Sequence, residues 1–193
     1  MHTDALSLAL ALLAGIAVAA ATGLRAFLPL LAVGLAARFA GLELQPGLHW
    51  LSGDLALVGL GTATIVEIAG DKIPAVDHAL DVVATFVRPV AATVAAYGML
   101  AHWPAPWAQL FAVLLGGSAL ALHAVKAKTR LGSSVVSLGL VNPALSVAED
   151  VISAALLVVA FLAPILILLP LVLVLVLLAR RRGRMAPTTG ARQ

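Results

Sequence analysis

The sequence predicts an all-α integral membrane protein with six or seven transmembrane helices, some of them short or broken. Three observations carry that prediction. Hydrophobic residues fill 62% of the 193 positions, charged residues only 11%, and the mean hydropathy is +1.09, whereas soluble domains are about 25% charged. The apolar residues come in continuous runs and lack the alternation of a transmembrane barrel strand. Glycine, proline and small groups of charges interrupt those runs at intervals near the roughly 20 residues that a helix needs to cross a bilayer.

The first run, residues 5–21, is preceded by MHTD, which has no basic residue, and the first positive charge, Arg25, follows it. It therefore reads as a retained helix and not as a cleaved signal peptide. Runs 26–40, 55–69, 90–100 and 131–148 are shorter or interrupted, so they need tilt, polar flanks or a re-entrant path. Run 108–124 meets the short limit for a span, and run 151–179 exceeds it, with Pro164 and Pro170 expected to kink the helix. One transmembrane domain, residues 1–179, is expected, followed by a basic, disordered tail over 180–193.

Composition narrows the chemistry. There is no cysteine, which excludes disulfides, thiolate metal sites and a cysteine nucleophile. Five of the twelve basic residues lie in ARRRGRMAPTTGARQ, directly after the last apolar run. That placement reads as a cytoplasmic anchor under the positive-inside rule, and not as a nucleic-acid site. Lys126, Lys128 and Arg130 form a second basic group assigned to the same side, while LELQPGLHWLSGD and HWPAPW carry the tryptophans of the opposite interface. A multi-pass protein of the bacterial inner membrane with a cytoplasmic C-terminus is expected, its partners being the lipid bilayer, an oligomeric copy of itself, and a cation or small solute.

LRAFLPLLAVGL and TRLGSSVVSLGLV each place an arginine nine positions before Gly-Leu, at Arg25/Gly34 and Arg130/Gly139. They are a candidate internal repeat of the kind from which transporters are built, although apolar segments also match by chance.

The charged residues within EIAGDKIPAVDHALD carry the functional expectation. Glu67 ends an apolar run, where a carboxylate is costly, and Asp71 lies one helical turn on. Gly70 and Pro74 break the helix there, with Lys72 between them as a charge-balancing cation; a plain helix end at the interface is the alternative. Asp77, Asp81 and Arg88 fall on one helical stripe, either as an acidic lining closed by an arginine or as an ion pair on a surface helix. Asp77 alone suits a first-turn acid. Further on, Asn142 and Pro143 break a second apolar run, followed by Glu149 and Asp150, with Ser133, Ser134, Ser137 and Ser146 nearby. These serines serve a solute path or close helix packing equally well. His78 and His123 lack a second histidine at ligand spacing and read as structural. There is no HExxH, P-loop, GxSxG or GxGxxG motif, and so no support for an enzyme or a bound cofactor.

DKIPAVDHALDVVATFVRPVA, HAVKAKTR, NPALSVAED and LRAFLPLL resemble the signature stretches of an uncharacterised bacterial membrane family, catalogued as domain of unknown function 4126. The resemblance runs from the first apolar segment to about Ala179 and implies a multi-spanning inner-membrane protein without a known activity. Glu67-Ile-Ala-Gly70-Asp71-Lys72-Ile73 is also similar to the Glu-x-Gly-Asp-Lys/Arg-Ser/Thr motif of manganese/calcium–proton exchangers, with one residue inserted and isoleucine in place of the hydroxyl residue.

The expectation is thus a small secondary transporter or exchanger of a cation or small charged solute, coupled to protons. Glu67, Asp71, Asp77, Asp81, Glu149 and Asp150 would contact the solute or ion, and Arg25, Lys72, Arg88 and Arg130 would balance charge. The alternative is a non-transporting membrane protein, an assembly factor, partner subunit or lipid-binding protein, in which these groups pair with one another.

Overall fold

The computed structural model describes the backbone over residues 4–137 and 141–184; the side chains at 74, 75, 77–79, 81, 130, 131, 133–137 and 181–184 fall outside the description. Every regular element among the described residues is helical. In order, these are α1 (Ala5–Leu24), α2 (Phe27–Phe39), α3 (Asp54–Gly70), α4 (Pro74–Met99), α5 (Ala105–Ser137), α6 (Asn142–Leu162) and α7 (Leu168–Arg184). Short 3-10 turns at His49–Ser52 and Pro164–Ile167 lead into α3 and α7.

Helix α1 is the axis of the bundle, packed by α4, α5, α6 and the Pro164–Ile167 turn. Its second half is almost entirely small and buried, including Ala14, Gly15, Ala17, Ala19, Ala21, Thr22 and Gly23. In lipid no hydrophobic force drives one helix against another, so close backbone approach at small residues supplies the packing. Gly23 shows how close: a Cβ there would lie 2.8 Å from the Leu122 Cβ and 3.1 Å from the Ala119 carbonyl of α5. Gly116 does the same for α5 against α4, since a Cβ would lie 2.7 Å from the Pro89 carbonyl.

The helices run end to end between two unlike faces. At one face Trp103 Nε1 donates to the Leu8 carbonyl (3.0 Å), Gln45 Nε2 donates to the carbonyls of Leu100 and Trp103, and His102 meets Glu43 at 3.1 Å. Trp50 and Trp107 are exposed there. Leu24 and Arg25 lie about 25 Å away along α1, at 1.5 Å per residue, and the charged residues gather at that end. The two tryptophan-bearing stretches therefore do share one face, opposite the polar cluster.

Among the described residues, four helical segments are long and apolar enough to cross a membrane: Ala5–Leu24, Val82–Met99, Ala105–Thr129 and Asn142–Leu162. Phe27–Phe39 and Pro164–Arg180 are shorter apolar helices. Several expected boundaries move. Run 90–100 is the end of a 26-residue α4 that carries Pro89 internally. Run 131–148 is divided between α5 and α6, because α5 absorbs the polar stretch up to Ser137 and Asn142 starts a new helix. Run 151–179 is not one kinked helix: α6 stops at Leu162, Pro164 opens a 3-10 turn, and Pro170 sits in the first turn of α7, where its missing N–H costs nothing. Residues 180–184, expected to be disordered, continue α7, and 185–193 lie outside the described residues.

Candidate functional site

Three helix breaks converge at the charged end of the bundle. Arg25 adopts an extended backbone (φ −132°, ψ 117°) between α1 and α2. Residues 71–73 join α3 to α4, which Pro74 opens at its first position. The start of α6 at Asn142, with Pro143 in its first turn, supplies the third. The breaks at Gly70–Pro74 and Asn142-Pro143 stand where the sequence placed them, whereas Arg25 was expected only to balance charge and not to mark a break.

Arg25 is fully buried and acts as the hub. Its Nη1 donates to Asp71 Oδ2, and its Nη2 donates to Ser146 Oγ (2.9 Å) and to the Ser146 carbonyl (3.1 Å). Its Nε lies 2.6 Å from Asp150 Oδ1, an ion pair close in distance but off the N–H direction, so neither atom gains a hydrogen bond. Lys126 is buried as well, with Nζ 3.0 Å from Glu149 Oε2, 3.5 Å from Asp71 Oδ2 and 3.3 Å from the Leu24 carbonyl. Lys72 reaches Asp150 at 3.5 Å from the surface. The result is a chain of alternating charge: Lys72, Asp150, Arg25, Asp71, Lys126, Glu149.

Glu67 does something different. Its Oε1 accepts the Ala26 N–H (2.8 Å) and its Oε2 the Phe27 N–H (3.2 Å). These are orphan donors at the start of α2, whose own N-cap residue is an alanine with no side-chain oxygen. A carboxylate from α3 therefore caps α2, complementing its dipole, while Lys126 meets the opposite partial charge at the α1 carbonyl end. Arg88 Nη2 stands 3.5 Å from Glu67 Oε1, and Arg88 Nη1 donates to His123 Nδ1. A guanidinium can only donate, so the His123 hydrogen sits on Nε2 and is offered to Thr85 Oγ1 at 3.2 Å. This agrees with a structural role for His123.

Four cations (Arg25, Lys72, Arg88, Lys126) thus face four carboxylates (Glu67, Asp71, Glu149, Asp150) among the described residues. Side-chain exposure rises from 0% at Arg25 through 12% at Glu149 and 23% at Asp150 to 40% at Lys72, so the cluster opens toward one face. Beside it lies a cavity of about 30 Å³ lined by Phe27, Glu67, Asp71, Ala84 and Arg88, among others. That is room for one or two waters or a monatomic ion. No group of three or more metal-ligating side chains occurs among the described residues.

Of the site residues expected from sequence, Arg25, Glu67, Asp71, Lys72, Arg88, Glu149 and Asp150 come together. The side chains of Asp77, Asp81 and Arg130 lie outside the described residues. The backbone separates the two arms of the candidate repeat: Arg25 stands at a helix break, whereas Arg130 stands inside α5.

Lys126, expected with Lys128 and Arg130 on the cytoplasmic side, has a side chain only 2% exposed and belongs to the buried cluster, a role the sequence reading did not give it. The signal was present in the spacing. Ala108, Ala112, Ala119, His123 and Lys126 fall at helical intervals along the buried face of α5, and charge proved a poorer guide there than register. Arg88 likewise continues the buried stripe of Ala84, Ala91 and Ala95 on α4.

The family model of a domain of unknown function, DUF4126, matches residues 12–183. Neither the curated proteins nor the solved structures contain a match to this chain.

Proposed function

The chain belongs to the family defined by that domain of unknown function, and from the geometry of the charged site we propose that it is a small secondary transporter or exchanger of a cation or small charged solute, coupled to protons. The observation that carries this reading is the convergence of eight charged side chains, four of each sign, on three helix breaks within an apolar bundle. Broken helices that present backbone ends to a polar centre are a recurring way to bind a solute in a membrane. A buried ion pair adds little net stability over well-packed apolar residues, so a bilayer protein has little structural reason to keep eight charges together. Ion pairs can exchange partners, and a solute that replaces one member leaves the cluster neutral.

In this proposal Glu67 and Glu149 are the membrane-embedded carboxylates, Asp71 is buried with them, and Asp150 leads to the surface. Arg25 and Lys126 hold the broken ends in place while partners change. All seven helices, the short α2, α3 and α7 included, cross or enter the bilayer of a bacterial inner membrane. Their alternating directions leave the charged face, the start of α4 and the basic end of α7 on the cytoplasmic side.

One observation favours the rival reading, a non-transporting assembly, partner or lipid-binding protein: the charges already pair with one another, and the cavity beside them is small, about 30 Å³. Flux in proteoliposomes separates the two. The assay is pH-gradient-driven movement across a panel of mono- and divalent cations and small anions, for wild type and Glu67→Gln. A solute-dependent proton signal lost in the variant supports the exchanger. Silence in folded wild-type protein across the panel refutes it and leaves the rival.

A further inference from the structure

At the open end of the charged cluster Lys72 holds its ammonium beside two oxygens that have no other hydrogen-bond donor. One belongs to the last turn of α3. There the N–H groups of Asp71, Lys72 and Ile73 donate to the carbonyls of Glu67, Ala69 and Gly70, and the Ile68 carbonyl is passed over by the backbone. It accepts Lys72 Nζ at 2.9 Å instead. The other oxygen is on Asp150. Glu67 accepts two backbone N–H groups, Asp71 accepts Arg25, and Glu149 has Lys126 at 3.0 Å. Asp150 is the carboxylate of the cluster that accepts no hydrogen bond among the described residues. Its Oδ1 is enclosed against Arg25 Nε. Its Oδ2 reaches the surface, where the side chain is 23% exposed, and Lys72 Nζ stands 3.5 Å from it, too far for a good hydrogen bond.

We propose that the position now taken by the Lys72 ammonium, between the Ile68 carbonyl and Asp150 Oδ2, is a binding site for a monovalent cation of ammonium size, potassium or ammonium itself, with Lys72 as its tethered competitor. The α3 C-terminus carries partial negative charge and favours a cation here, and helix ends with free carbonyls serve as monovalent-cation ligands in membranes. Lys72 is 40% exposed on a flexible stem, so its ammonium can move into water and leave its place to the ion. Exchanging one monovalent cation for another keeps the cluster neutral. A divalent ion would leave an excess charge, and it takes about six or more oxygen ligands where two are offered. The inference deepens the transport reading by naming the class of cation, and it rests on that reading only for what the site is used for.

The test is equilibrium binding to the full chain in detergent. Thermal unfolding is followed as potassium chloride or ammonium chloride replaces choline chloride at constant ionic strength, because choline is too large for the ammonium position. Wild type is expected to show a saturable rise in unfolding temperature at high salt. A tethered ammonium in place about nine-tenths of the time weakens apparent binding about tenfold, so Lys72→Met should reach half-saturation at a concentration about tenfold lower. Lys72→Arg keeps a tethered cation and should stay near wild type. Lys128→Met removes an exposed charge from α5 and should also match wild type. Lys72→Met with Asp150→Asn should lose the dependence; if that double variant does not fold, the three lysine variants decide. A response to one salt alone would identify which ion the site takes.

No dependence on either salt in Lys72→Met would overturn the proposal. An equal gain in Lys128→Met would overturn it too, as a general effect of surface charge, and so would a dependence that survives Asp150→Asn. Binding and flux fail separately. Cation binding without movement of any ion would refute transport and keep the site, whereas flux of another solute without cation binding in Lys72→Met would refute the site and keep transport.

Discussion

Replacing Arg25 puts the largest stress on the polar cluster. The guanidinium contacts Asp71, Asp150 and both oxygens of Ser146, and so ties α1 to the α3–α4 link and to α6. Arg25→Met removes that charge from a site with 0% exposure. Asp71 keeps Lys126 at 3.5 Å, and Asp150 keeps Lys72 at the same distance with some access to water. Breaking a buried pair from one side costs about 3–5 kcal/mol. The surviving lysines lower that figure, and the lost Ser146 contacts restore it, at about 1.5–3 kcal/mol for hydrogen bonds to a charged group.

The expected loss is therefore about 3–5 kcal/mol. Arg25→Lys keeps the charge but cannot span three partners with one nitrogen, and is expected to lose about half as much. The decisive variant is the double one. Arg25→Met with Asp71→Leu leaves Lys126 paired with Glu149 at 3.0 Å and the cluster neutral, so it should recover at least half of the single loss. Equilibrium unfolding in mixed detergent micelles, followed by tryptophan fluorescence, measures wild type, Arg25→Met, Arg25→Lys, Asp71→Leu and the double variant. A double variant whose loss equals the sum of the two single losses would show no coupling between Arg25 and Asp71, and would refute the reasoning.

Two further perturbations probe the packing and the closure of the site. Gly23→Ala forces a Cβ to within 2.8 Å of Leu122 and against the Ala119 carbonyl. It should destabilise by about 1–3 kcal/mol, whereas Gly61→Ala, which meets nothing within 4 Å, should be neutral or stabilise by up to about 1 kcal/mol in the same unfolding experiment. Ser146→Cys, buried at 0%, is expected to resist a water-soluble thiol reagent that labels the exposed Lys128→Cys within minutes. Under a driven flux the exchanger reading expects labelling at 146 to accelerate. An unchanged rate alongside measured flux would show that this part of the cluster stays closed during transport.

Glu67 illustrates how far sequence reasoning reaches. Its position at the end of an apolar run marked it as a costly carboxylate, and burial agrees. Its partners were not legible. The donors it accepts belong to Ala26 and Phe27, forty or more residues earlier, and any side chain at those positions would present the same N–H groups. Lys126 was missed altogether. Read by charge it was assigned only to the cytoplasmic side, and its place in the buried cluster follows from its register along α5, on the face that packs against α1. The run 151–179 misled for a third reason: hydropathy is indifferent to whether a proline kinks a helix or ends it, and only the packing of the Pro164–Ile167 turn against α1 separates α6 from α7.

Composition and run length by themselves determined that this chain is a helical membrane protein, and Gly70, Pro74, Asn142 and Pro143 determined where helices stop. Both follow from local physics, since lipid demands internally satisfied backbone and proline lacks an N–H. Which charge meets which was decided only by the tertiary structure. Arg25, Asp71, Lys126 and Asp150 come from four separate stretches of chain, and a pairing energy that falls with distance in a low-dielectric interior depends on how those stretches are folded together.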